Sequence, residues 1–447
     1  MQINANHLDT VTTGAINTDG LIFGGINMIF LDANIIYEAV HKTIKGSKKD
    51  KYATQLYQVN KLLYTAMLQE ALSSGTYKPE TGNKFVLSER GKTRFVTNNS
   101  MTDKVVNHIV CDEILTPALK RFLIHDNGAS QKGKGVGFHR KRFEKHLRDY
   151  FKRYGTNEGY ILLGDFSGYY ANIRHDKCSE VLAHFLKRSD LPVEDLRTAW
   201  KILTGIFQTF RLDVSRFSDE EIRAMYTQKV DTMMNFGVDE NLLTGEKFLN
   251  KGVDIGNQTS QNIGIVFPYR FDNYAKIVAG IKGYGRYTDD FYAIARGKET
   301  LKKLLDDLKV IAEEYGIIIN ERKTRIVKLS SFYRHLQNGY SLTDTGRVIC
   351  KINPKSITRE RRKLKAYKRL LDAERITYDE IENIFKSWIC ANYKRMSHRQ
   401  IYNMAQLFTE LFRRKLKWKK YSQLRWLMEH SSPDWNSAEI TSSAKTK

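Results

Sequence analysis

Proline is scarce in this chain, with 6 in 447 residues, which argues against long disordered linkers. Cysteine is scarcer still. The four present (Cys111, Cys178, Cys350 and Cys390) lie too far apart for any pair to have metal-ligand spacing. That argues against a zinc site, and the four read as reduced, mostly structural thiols of a cytoplasmic protein. No apolar run reaches the length of a membrane span. The most apolar N-terminal run, residues 21–36, contains Gly, Asn and Asp, lacks a basic flank and makes a poor signal peptide. Acids are also in deficit, with 50 Asp and Glu against 73 Lys and Arg, a formal net charge of +23. That surplus favours a polyanionic partner, nucleic acid ahead of an anionic membrane. What the chain has in quantity is aromatic surface: 22 Phe, 24 Tyr and 5 Trp supply flat faces for stacking on bases.

The length allows two or three domains with a sizeable core. Residues 1–36 are rich in Asn, Thr and Gly and have little helical period. A helical pattern over 39–73 is broken at Gly75-Thr76-Tyr77-Lys78-Pro79. Residues 83–87 and 92–97 read as two strands joined at Glu89-Arg90-Gly91, with Lys92 and Arg94 two residues apart on one face. Those two fit solvated surface charges and phosphate ligands alike. A helix starts near 103 and should end or kink at Pro117. The loop Asp126-Asn127-Gly128-Ala129-Ser130-Gln131-Lys132-Gly133-Lys134-Gly135 is rich in glycine but lacks P-loop spacing, which excludes a nucleotide hydrolase of that class. Its Lys132 and Lys134 suit a nucleic-acid backbone. A basic helix over 138–154 follows.

Tyr160-Ile161-Leu162-Leu163-Gly164 is a short strand of the buried type, and it delivers Asp165. Helices are expected over 177–187 and 196–210, then a polar region over 212–250 with a helical piece at 220–233. Lys251-Gly252-Val253-Asp254-Ile255-Gly256-Asn257-Gln258-Thr259-Ser260-Gln261 leads into an apolar helix. Gly256 permits close backbone approach there, and a capped loop-to-helix junction explains the polar residues equally well. Later come a helix over 299–315 and strands at 317–320 and 325–329. Basic helices then run over 351–369, 377–393 and 397–418, forming a separate helical domain from near Asn353.

The densest chemistry lies in Gly283-Tyr284-Gly285-Arg286-Tyr287-Thr288-Asp289-Asp290-Phe291-Tyr292-Ala293-Ile294-Ala295. Alternation after the two acids reads as a strand, placing Asp289 and Asp290 in the turn before it. On these residues alone, a solvated hairpin turn and a metal site both fit. Asp165, at the end of an apolar strand, needs a partner as well. Three converging carboxylates could hold two divalent cations and serve in-line phosphoryl transfer.

In this order and spacing the motifs resemble those of the reverse transcriptases, specifically the bacterial ones related to group II intron enzymes. Tyr287-Thr288-Asp289-Asp290 resembles the family's Tyr-x-Asp-Asp box, with Thr288 as its small residue. Asp165 with Tyr170 resembles its Asp-x-x-x-x-Phe/Tyr motif. The resemblance implies an α/β right-hand polymerase, with an antiparallel palm sheet and an all-helical thumb. It implies that Asp165, Asp289, Asp290 and the Phe166 carbonyl hold two Mg²⁺ ions, or Mn²⁺ in their place. Tyr170 would exclude a ribose 2′-hydroxyl, Lys92 and Arg94 would hold the triphosphate, and Lys323 would donate a proton to pyrophosphate. Tyr287, Ile255, Gly256 and Gln258 would line the nucleotide site. Lys132, Lys134, Arg359, Arg361, Arg362 and Lys365 would follow the nucleic acid.

Ile255 departs from the usual glutamine of Leu-Pro-Gln-Gly and resembles the diversity-generating retroelement enzymes. Defence-associated and abortive-infection enzymes vary here too. Phe332-Tyr333-Arg334-His335-Leu336 replaces the usual Phe-Leu-Gly primer-grip pattern. The domains expected are an N-terminal extension (1–36), fingers (37–155), palm (156–350), basic thumb (351–430) and a disordered tail (431–447). The expected activity is cDNA synthesis from dNTPs on a cognate structured noncoding RNA in antiphage defence. The alternatives are error-prone copying of a template repeat and a maturase-like RNA-binding protein with vestigial catalysis. An accessory protein or a second copy of the chain would complete the partners, with no membrane.

Overall fold

The computed structural model describes residues 28–414 and 416, apart from 90 and 232. Residues 1–27 of the expected N-terminal extension, 415 and 417–418 of the last expected helix, and the whole expected tail lie outside the described residues. The chain forms two compact units, one of residues up to 146 and 160–326, the other of 147–159 and 327 onward.

In the first unit, β1 (Asn83–Glu89) and β2 (Lys92–Asn98) make an antiparallel hairpin that pairs Glu89 with Lys92. β3 (Tyr160–Asp165) is followed by the two-residue strands β4 (Leu212–Asp213) and β5 (Phe248–Leu249), then by β6 (Gly283–Tyr287), β7 (Asp290–Ala295) and β8 (Arg325–Lys328). The sheet order is β6-β7-β3-β8, and β7 runs antiparallel to both β3 and β6. The uninterrupted apolar runs of β3 and β7 match a sheet covered on both faces: Ile161, Leu162, Phe291, Tyr292 and Ala293 have no exposed surface. The helix Lys298–Tyr315 supplies part of that cover. Its Leu301, Leu304, Leu308 and Ala312 recur at helical spacing and are buried.

Helical periodicity located these elements, and backbone chemistry moved their ends. The pattern over 39–73 is three helices, Ala33–Gly46, Tyr52–Val59 and Lys61–Ser73. The helix expected from 103 begins at Met101, where the Ser100 side chain accepts from the Asp103 amide. Before Pro117 it widens into a π turn, Val110–Leu115, because proline has no N–H to return to the preceding turn. The strand expected at 317–320 does not form; only an isolated bridge joins Phe166 to Ile319.

The polar region 212–250 folds around Val214, Val230 and Leu249, with the helix Asp219–Thr227 closed by a capping box between Ser218 and Glu221. Lys251 anchors it. Its ammonium is fully buried and donates to the carbonyls of Met225, Tyr226 and Gln228 at 2.8, 3.3 and 2.7 Å.

The second unit contains strands that sequence reading missed, β9 (Tyr333–His335), β10 (Asn338–Leu342) and β11 (Val348–Ile352), an antiparallel sheet. Asn353 caps the helix Pro354–Asp372 through the Lys355 amide. The helices Tyr378–Asn392 and His398–Phe412 follow, each opened by a capping box. Their apolar faces meet in a core that includes Leu364, Ile381, Phe385, Ile389, Met404 and Phe408.

Lys251→Met should leave the carbonyls of Met225, Tyr226 and Gln228 buried without a donor. A loss of about 1–3 kcal/mol in urea unfolding is expected, with faster proteolytic cleavage within 211–250. Unchanged stability would show that water replaces the ammonium.

Candidate active site

Cross-strand register brings the two acidic motifs together. Asp165, the last residue of β3, lies directly opposite Asp290, the first residue of β7. Directly paired residues project from the same face of a sheet, and like charges so placed repel. Asp290 also pairs with Tyr287, so Thr288 and Asp289 form a two-residue hairpin turn. The Asp289 carbonyl accepts from the Phe166 amide at 3.1 Å, which joins the turn to the end of β3.

Lys323 answers part of the repulsion. Its ammonium donates to Asp165 Oδ2 at 2.7 Å while remaining about half exposed. Asn320 Nδ2 donates to the same oxygen at 3.2 Å, and the Asn320 amide donates to the Asp165 carbonyl at 2.8 Å. The segment Asn320-Glu321-Arg322-Lys323-Thr324 therefore wraps the end of β3, though it is not itself a strand. Among the described residues, no three Asp, Glu, His or Cys side chains converge closely enough to hold an ion. The donor set nonetheless suits a hard divalent cation, since it consists of carboxylate oxygens on one sheet corner. The Lys323 ammonium places a positive charge against Asp165.

The turn itself is strained. Thr288 has φ +55°, a region costly for a β-branched residue. The side chain of Arg286, two residues earlier, holds it. Arg286 is fully buried, and its Nη1 donates to the Thr288 carbonyl at 2.7 Å. Nε and Nη2 form a bidentate pair with Asp272 at 2.8 and 2.7 Å, and Nη2 also reaches the Ile265 carbonyl at 2.7 Å. Burial opposes the guanidinium charge, but Asp272 raises its pKa above the usual value. Tyr284, on the same face of β6 at period two, donates to Asp272 Oδ1 at 2.7 Å.

The edge of β6 is closed by the glycine-rich loop. Arg286 N donates to the Asp126 carbonyl and Gly128 N to the Arg286 carbonyl, at 3.1 and 3.0 Å. Burial would raise the Asp126 carboxyl pKa, but His146, Arg142 and Lys276 hold it well below the usual range. Arg142 Nε and Lys276 Nζ donate to it at 2.6 and 2.8 Å. Lys134 turns inward in this loop and donates to the carbonyls of His125 and Asn127 at 3.0 and 3.1 Å. It acts there as a loop staple, whereas Lys132 is exposed.

Tyr170 opens the 3-10 turn Tyr170–Asn172. Burial pushes its pKa up to about 12, with the Asp289 charge adding to the effect. Its ring lies against Gly264 of the helix Gln258–Val266, where a Cβ would meet its hydroxyl at 2.6 Å. Gly256 has φ +113°, and a Cβ there would stand 2.5 Å from the Thr97 carbonyl of β2. The Thr97 amide donates to the Ile255 carbonyl at 2.8 Å, tying the hairpin to this loop. The Ile255 side chain is 37% exposed. Gln258 Nε2 donates to Asp112 at 3.0 Å, and the Tyr287 ring packs edge-on to His139. Arg94 is exposed on β2, the strand that also carries Lys92.

Arg361, Arg362 and Lys365 are exposed on the helix Pro354–Asp372, with Arg359 half-buried; this helix belongs to the second unit. Sequence reasoning missed Arg286, Asp272 and Gly264. A Tyr-x-Arg pair on one face of a strand beside an acidic box was the available signal.

A family model described as "Reverse transcriptase (RNA-dependent DNA polymerase)" matches residues 78–338. No curated protein sequence matches the chain. Similar solved structures include apo telomerase from Candida tropicalis truncated from its C-terminal domain. It is 12% identical with a TM-score of 0.43, over 64% of this chain and 60% of that one. Telomerase from Candida albicans in complex with the TWJ fragment of telomeric RNA is 11% identical with a TM-score of 0.43, over 79% and 62%. Apo telomerase from Candida tropicalis is 12% identical with a TM-score of 0.41, over 86% and 81%. The chain thus spans less than two thirds of the length of the first two.

Lys323→Met should leave Asp165 and Asp290 facing each other without that cation, a loss on the order of 1 kcal/mol for a half-exposed pair. Added Mg²⁺ should raise its melting temperature more than that of the wild type, as read by calorimetry. Equal shifts in both proteins would show that Lys323 and the ion do not compete for Asp165.

Proposed function

Since this chain belongs to the reverse transcriptase (RNA-dependent DNA polymerase) family, an enzyme family with the α/β right-hand polymerase fold, we propose that its reaction is carried out at the β3–β7 corner. The supporting observation is the register that sets Asp165 opposite Asp290, with Asp289 in the adjoining turn. The substrates we assign are dNTPs and an RNA template, and the product is cDNA. Asp165, Asp289, Asp290 and the Phe166 carbonyl would hold two Mg²⁺ ions, whose chemistry there would be activation of the attacking hydroxyl and charge stabilisation of the leaving pyrophosphate.

The protein's own groups orient and select. Tyr170, seated on Gly264 beside the acids, would present its ring to the sugar and exclude a 2′-hydroxyl. Lys323, reaching Asp165 at 2.7 Å, would be released towards pyrophosphate and return a proton to it. Lys92 and Arg94 would draw the triphosphate towards the loop at Ile255 and Gly256, to which β2 is already bonded. Arg359, Arg361, Arg362 and Lys365 would track the nucleic-acid backbone, giving a salt-dependent contribution to binding.

For the biological setting we assign copying of a cognate structured RNA in bacterial antiphage defence. A second reading, error-prone copying of a template repeat, is favoured by Ile255. An exposed aliphatic side chain beside Gly256 gives up a polar contact to the nascent pair and with it base discrimination.

Asp290→Asn and Asp289→Asn should each lower dNTP incorporation by roughly a thousandfold or more, the scale of losing a group that acts only in the transition state. RNA affinity should stay near the wild-type value. Undiminished incorporation by either variant would refute the assignment. Tyr170→Ala should raise incorporation of rNTPs relative to dNTPs by an order of magnitude or more, measured as a ratio of kcat/KM; an unchanged ratio would remove Tyr170 from sugar selection. Sequencing RNA and cDNA that copurify with the protein separates the two settings. One dominant structured RNA with a faithful copy supports defence, whereas clustered substitutions in the cDNA support diversification.

A further inference from the structure

We propose that Arg286 is a positioning residue that fixes the Thr288-Asp289 turn, and with it the two acids Asp289 and Asp290 that would hold a metal, beyond stabilising the sheet. This rests on the polymerase reading of the site. A buried guanidinium needs only Nε and Nη2 to neutralise Asp272, and those two atoms do so at 2.8 and 2.7 Å. The remaining nitrogen, Nη1, is spent on the Thr288 carbonyl at 2.7 Å. That carbonyl belongs to the one residue of the hairpin turn with positive φ, at +55°. The bond therefore acts where the backbone would otherwise relax, and relaxation would rotate the adjoining Asp289 peptide.

The position of that peptide is set from a second side, since the Phe166 amide donates to the Asp289 carbonyl at 3.1 Å. Phe166 follows Asp165 directly. Turn and strand end are thereby fixed relative to each other only while Thr288 keeps its conformation. Nη2 adds a third link, to the Ile265 carbonyl at 2.7 Å. Its neighbour Gly264 is the floor under the Tyr170 ring. One side chain thus spaces the acid turn from the helix that seats Tyr170. Arginine alone presents enough N–H groups in a fixed fork for these three tasks; a lysine ammonium is a point donor.

Arg286→Lys keeps the charge opposite Asp272 and loses the fork. In the metal-free protein, hydrogen exchange at the Phe166 amide should quicken while the buried β7 amides keep their protection. Mn²⁺ affinity, followed by electron paramagnetic resonance, should fall about tenfold or more, the scale of one lost charged hydrogen bond. Adding Thr288→Gly should restore both readings towards the wild type, because glycine takes positive φ without strain. A second variant, Arg286→Met with Asp272→Leu, removes the buried charges together and so keeps a packed core. It should show the same two losses.

Wild-type exchange and Mn²⁺ affinity in either variant would overturn the proposal, as would failure of Thr288→Gly to restore them. Both readings are independent of polymerisation. Asp290→Asn with undiminished incorporation would therefore refute the polymerase reading and leave the Arg286 result to stand or fall by itself.

Discussion

Two carboxylates placed across adjacent strands repel, and the first unit is built around containing that repulsion at the Asp165–Asp290 pair. The sheet cannot separate them, because β3 and β7 are buried on both faces, and a slip of one residue would exchange the side chains packed on one face with those packed on the other. The charge has to be met in place. Lys323 meets it at Asp165 from a segment held by backbone bonds to the end of β3. A cation placed in this way offsets the repulsion and is exchangeable, because Lys323 is half exposed and tethered by a flexible stem. An arginine clamped bidentately would resist displacement by an incoming ion.

The second containment is mechanical. A two-residue turn carrying Asp289 must present its carboxylate without folding back, and Thr288 is a poor residue for positive φ. The fold compensates through a buried polar cluster of Arg286, Asp272, Tyr284 and the Ile265 carbonyl. Burying an arginine is costly unless every partner is in place. The cluster therefore ties three separate elements, the helix Tyr269–Asn273, the helix Gln258–Val266 and the turn, to a single arrangement. The Asp126 carboxylate repeats this logic on the outer side of β6, gathering Arg142, Lys276 and His146 around one buried acid. A strand that would be an open edge is in this way stitched to the preceding loop.

This division explains what was legible in the sequence. The acidic motifs, the delivering strands and the loop at Gly256 could be read because each is a local pattern: an apolar run, a pair of acids, a glycine before polar residues. The helix Pro354–Asp372 could be located from its basic run over 351–369, but not its start, because Lys351 and Ile352 belong to β11 and the helix opens only behind the Asn353 cap. Arg286 could not be assigned a role, because its partners Asp272 and Ile265 join it only through tertiary packing. The sheet of β9, β10 and β11 was missed because its strands are short and β9 and β10 mix polar with apolar residues, burying His335 and Asn338 beside Tyr333, Tyr340 and Leu342. The short strand expected at 317–320 failed for the opposite reason. Its residues have the right character but bond to the end of β3 rather than to a neighbouring ladder.

The net charge of +23 requires the same separation of local from tertiary roles. Counted as a surplus, every lysine and arginine looks available to a polyanion. Placed in the fold, Lys134, Lys251, Lys276 and Arg286 spend their charge on backbone carbonyls or buried acids inside the first unit. They neutralise the negative ends of peptide dipoles where helix ends and loops are buried. Of the residues expected to follow a nucleic acid or hold the triphosphate, Lys132 on the loop, Arg94 on the hairpin, and Arg361, Arg362 and Lys365 on one helix of the second unit keep exposed side chains. Salt should therefore weaken nucleic-acid binding far more than folding, because screening acts on exposed charges and leaves buried pairs largely intact.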